Sequence, residues 1–121
     1  MMNLMRGLAC SAILMMIGCS SAQSPRDRAT ASELAQVSVL KRDFSGIVMG
    51  FDVRDDTTLI VSLDLQSYIG MDDDAAAAMQ RTVVARWRDA WVAAHPGAHA
   101  MLQVRFIDFI GRKIAEQSIR A

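Results

Sequence analysis

His95 and His99 are the only histidines in the chain and stand four residues apart, the spacing at which two imidazoles on one helix face bind a transition metal. Pro96 and Gly97 interrupt any such helix, so the two are expected as polar residues at a helix end. Asp55, Asp56 and the run Asp72-Asp73-Asp74 offer the oxygen ligands that calcium takes. They lack the spacing of an EF-hand loop, and turn formation and helix capping account for both runs. Serines occur without a Gly-x-Ser-x-Gly elbow, and no glycine-rich loop is present to cradle a phosphate. No catalytic residue, metal ligand or cofactor site is therefore expected. Trp87 and Trp91, also four apart, remain as an aromatic surface for a ligand or partner if they are not core.

Cys19 is the other reactive group, and its setting defines it. Met1 to Gly7 holds one cation, Arg6, and no carboxylate, and Leu8 to Ile17 is free of charge. This is the layout of a signal peptide. About ten apolar residues make only about 15 Å of helix, roughly half the thickness of a bilayer core. Five of the nine methionines lie at or before Met16, so the methionine content describes a leader rather than a binding surface.

The run Met16-Ile17-Gly18-Cys19 resembles the lipobox of bacterial lipoproteins, over roughly the first twenty residues of the chain. The resemblance implies that the Cys19 thiol takes a diacylglyceryl group and that cleavage before it leaves Cys19 as the mature N-terminus. Ser20 after the cysteine implies, by the same resemblance, sorting to the outer membrane with the domain facing the periplasm. Ser20-Ser21-Ala22 also has the small residues of an ordinary leader-peptidase site, which would release a soluble periplasmic protein beginning at Gln23.

These readings divide the chain into a signal peptide over 1–18, a lipidated N-terminus and flexible tether over 19–29, and a single domain over 30–121. Loss of Cys10 and acylation of Cys19 leave no thiol for an internal disulfide, so the body must be stabilised by packing. Without Arg6 the chain carries twelve basic and thirteen acidic side chains. That balance opposes a nucleic-acid binder. The expected partners are membrane lipid, through acylated Cys19, and an envelope protein complex.

Elements that could position these groups follow from periodicity. Thr30-Ala31-Ser32-Glu33 matches a capping box, followed by Leu34, Val37 and Leu40 on a short N-terminal helix. Ile47, Met49, Phe51 and Val53, then Leu59, Val61, Leu63 and Leu65, alternate as two strands around an Asp55-Asp56 turn. The helix over Ala75 to Ala94 gathers Met79, Val83, Trp87, Ala90, Trp91 and Ala94 on one face. Leu102, Val104 and Phe106 begin a last hairpin that turns at Gly111-Arg112, with a bulge expected at Phe109 and Ile110. The expected fold is an α+β two-layer sandwich, an antiparallel sheet of about four strands packed by one long amphipathic helix. Its outer face would offer Val48 and Ile60 to a partner.

Overall fold

The computed structural model of the chain describes residues 24–121. Cys10, Cys19 and the leader expected over 1–18 lie outside the described residues. The elements are α1 (Pro25–Val37), α2 (Leu40–Asp43), β1 (Val48–Arg54), β2 (Thr58–Leu63), α3 (Leu65–Ile69), α4 (Asp73–Ala94), β3 (Met101–Ile107) and β4 (Lys113–Arg120).

Three of the helices start on a side-chain cap. Ser24, Asp64 and Asp72 accept from the backbone N–H groups of Asp27, Ser67 and Ala75, satisfying donors that a helix start leaves unpaired. The first cap corrects the expected boundary. Proline at the first helical position, with its fixed φ and missing N–H, suits a helix start, so α1 begins at Pro25 rather than Thr30. Residues 25–29, expected as tether, are the first turns of a helix. Leu65, expected in the second strand, instead opens α3 behind its Asp64 cap.

The sheet order is β1-β2-β3-β4, an α+β arrangement with the helical core on one face of the sheet. Its pairing differs from the expected antiparallel sheet. β1 with β2 and β3 with β4 are antiparallel hairpins, but β2 pairs with β3 in parallel, making the sheet mixed. The cause lies in α4. A long helix between β2 and β3 carries the chain back along the sheet, so β3 starts at the same end as β2.

The core joins Val37 and Leu40 to Leu59, Val61 and Leu63, to the α4 stripe of Met79, Val83, Trp87, Ala90 and Trp91, and to Leu102, Val104 and Phe106. The expected stripe on α4 is thus the buried one. On β1 the alternation holds only from Phe51 onward, because the register shifts between Val48 and Gly50 and leaves Met49 exposed. The shift turns Val48 inward, where it is 3% exposed. On β3 the strand ends at Ile107, and the irregularity expected at Phe109 and Ile110 falls between Phe106 and Ile107 instead.

Ile60 lies outside the core cluster yet is only 5% exposed. The pairing register places it in one outer-face row with Asp52, Arg105 and Glu116. The stem of Arg105, whose guanidinium is held 2.7 Å from Glu116, lies beside it. Val48 and Ile60 therefore offer no exposed apolar surface, contrary to the sequence-based expectation.

Candidate functional site

Asp55 and Asp56 form the β1–β2 turn with φ of 54° and 63°, a left-handed conformation that aspartate tolerates better than most residues. The two tryptophans of α4 hold this turn. The Trp87 Nε1–H donates to the Thr57 carbonyl at 3.3 Å, and the Trp91 Nε1–H to the Asp56 carbonyl at 2.9 Å. With exposures of 0% and 4%, Trp87 and Trp91 are core residues with their polar atoms satisfied rather than the walls of a groove.

Beside Trp91 a carboxyl–imidazole pair joins α1 to the end of α4. His95 stacks on Trp91 with ring centroids 4.3 Å apart, and its Nδ1 lies 2.9 Å from the Trp91 carbonyl and 3.5 Å from Glu33 Oε1. A carbonyl only accepts, so Nδ1 carries the proton and Nε2 is the nitrogen left for other partners. Glu33 is 1% exposed, and its Oε2 has no hydrogen-bond partner. Burial pushes its carboxyl up to about 7; His95 opposes the rise and the Asp56 charge adds to it. A cleft of about 310 Å³, lined by Pro25, Arg26, Ala29, Asp56, Ala94 and His95, opens next to this pair. Arg26 and Asp56 close one side with an exposed ion pair at 2.6 Å.

The chemistry available here is proton exchange near neutral pH and the holding of a small polar group. Nucleophilic catalysis would need a hydroxyl or thiol bonded to the imidazole, and among the described residues the His95 ring contacts only Trp91 and Glu33 through hydrogen bonds or ion pairs. The two histidines do not converge, since His99 Nδ1 instead lies 3.3 Å from the Ala121 carbonyl. The aspartate runs are also apart. Asp72 caps α4 while Asp56 meets Trp91, about 28 Å further along the helix axis. Among the described residues no three His, Cys, Asp or Glu side chains are grouped as a metal site would require.

A second feature lies at the opposite end of the sheet, on the β3–β4 turn. Asp108 is 2% exposed and accepts from the backbone N–H groups of Ile110 and Arg112, at 3.1 and 2.9 Å, and from Arg112 Nε at 2.9 Å. Burial disfavours its charge, but the Arg112 backbone N–H, the Arg112 guanidinium and the Ile110 N–H outweigh burial and hold its carboxyl below the ordinary range. Gly111, at φ 88°, completes the turn. Held in this way, Phe109 is 87% and Ile110 59% exposed. Residue type and spacing alone single out none of Glu33, Phe109 and Ile110 as functional. Glu33 did carry a signal, because it shares the i, i+4, i+7 face with Val37 and Leu40.

No protein family, curated protein or solved structure matches this chain.

Proposed function

We propose that the chain is an envelope lipoprotein, anchored at the outer membrane through acylated Cys19 and facing the periplasm, whose α+β body is a non-catalytic binding or assembly module. The observation that carries the binding role is the β3–β4 turn. A buried, fully engaged Asp108 fixes a loop whose function cannot be its own packing, because its two large apolar side chains point into water. Preorganisation of an exposed aromatic and an aliphatic residue lowers the entropy lost on binding. The Met16–Cys19 run supports the anchor. Among the described residues no helix is long and apolar enough to cross a membrane.

A soluble periplasmic ligand-binding protein, cleaved after Ala22, is the second reading, and the cleft at His95 favours it. A small hydrolase is less well supported, because neither Glu33 nor His95 is bonded to a nucleophile. Metabolic labelling with radioactive palmitate separates anchored from soluble. Wild-type chain should incorporate label and sediment with membranes, whereas Cys19→Ser should lose the label and change fractionation. A mature N-terminus at Gln23, with fractionation unaffected by Cys19→Ser, would overturn the anchor.

A further inference from the structure

We infer that the β3–β4 turn is a second membrane contact, at which Phe109 and Ile110 enter the interfacial layer of a phospholipid bilayer while Arg112 and Lys113 lie among the headgroup phosphates. Three observations point to lipid. The apolar tip is small: a phenylalanine buries at most about 250 Å², whereas a stable protein interface needs about 800 Å² from each partner. A bilayer requires no matching surface, only apolar side chains that reach past the headgroups, and these two project from a turn fixed by Asp108. Beyond Gly111 the next two residues, Arg112 and Lys113, are cationic, and the Arg112 side chain stays 69% exposed even while its Nε engages Asp108. Asp73 and Asp74 open α4 at the same end of the sheet, so the tip fits a surface of modest rather than dense negative charge.

This inference draws on the proposed anchor for its affinity. With α1 beginning at Pro25, only Ser20 to Ser24 separate Cys19 from the folded body, a reach of about 20 Å at full extension. A short tether supplies a high local concentration, which a two-residue contact needs. Arg26 near the start of α1 meets Asp56 in the β1–β2 turn, whereas Phe109 follows the far end of β3, so the two attachments lie at opposite ends of the sheet. Engaging both lays the domain along the membrane instead of standing it off.

The test replaces the natural anchor, so that failure of the lipoprotein reading does not decide it. The core runs from Val37 to Phe106, so a chain begun at residue 20 keeps it whole; with Ser20→Cys that chain has a single thiol, which can be coupled to a maleimide lipid. The tethered chain is displayed on vesicles of phosphatidylethanolamine with a minor share of phosphatidylglycerol, with Phe109→Trp as the depth probe and Ser118→Trp, on the outer sheet face, as control. After subtraction of the Trp87 and Trp91 signal, the Phe109→Trp indole should shift to the blue and be quenched several-fold more by bromolipid than the Ser118→Trp indole. Adding Ile110→Ser should reduce that quenching. Equal quenching at the two positions overturns the inference. So does a Phe109→Trp indole that stays unquenched on vesicles but is shielded in intact envelopes, the result expected for a protein partner.

Discussion

Trp87→Ala should destabilise the domain by about 3 to 5 kcal/mol, a large fraction of what a domain of this size holds in reserve. The side chain is wholly buried and central to the contact between α4 and the sheet, so its removal leaves a cavity as well as forfeiting apolar burial. Phenylalanine substitutions separate packing from hydrogen bonding. In Trp87→Phe the Thr57 carbonyl loses the indole donor but keeps the Gln103 N–H at 3.1 Å, whereas Trp91→Phe removes the indole N–H that holds the Asp56 carbonyl. Trp91→Phe should therefore cost more per donor lost, about 1 to 2 kcal/mol for the hydrogen bond itself. Urea unfolding followed by far-UV circular dichroism measures all three. A Trp87→Ala cost below that of either phenylalanine variant would refute a core role for Trp87.

Glu33→Gln should make the protein more stable above pH 7 and flatten its pH dependence. The Glu33 carboxyl rises from its ordinary 4.5 to about 7 in the folded state, so between those values the native chain binds more protons than the unfolded one. Stability from this group is complete below about pH 4.5 and is lost as pH rises through about 7. Glutamine imitates the protonated acid and removes the charge that burial opposes. Because His95 connects the pair to water, the gain at pH 8 is discounted to about 1 to 2 kcal/mol. Thermal melts of both proteins from pH 4 to pH 9 check this. A wild-type decline reproduced unchanged in Glu33→Gln would place the titration elsewhere.

Local pattern was readable where a single element decided burial. Met79, Val83, Trp87, Ala90 and Trp91 declared the inner face of α4, and alternation declared β2 and β3. What escaped depended on partners remote in sequence. The parallel pairing of β2 with β3 follows from where α4 delivers the chain, and the inward turn of Val48 depends on a register shift against β2. Ser24-Pro25 was a legible helix start, but Pro25 also suits a linker, and the capping match at Thr30 competed with it. At the two sites, the sequence placed His95 at a helix end and a turn at Gly111-Arg112. It did not reveal the Glu33 contact, which requires α1 to cross α4, nor a buried Asp108, because aspartate between apolar residues reads as a strand break.

The parallel seam between β2 and β3 has a kinetic consequence. Each hairpin can form from neighbouring residues, but pairing Thr58 with Gln103 closes the whole segment between them, which holds α3 and α4. Closing so long an intervening segment precedes any reward from the pairing, which slows folding relative to a simple meander. Until that step, β2 would present an unpaired edge in the middle of the nascent sheet. A chain in this state is prone to join a neighbour's strand, so productive folding should depend on protein concentration during refolding, with aggregates forming before the two hairpins meet.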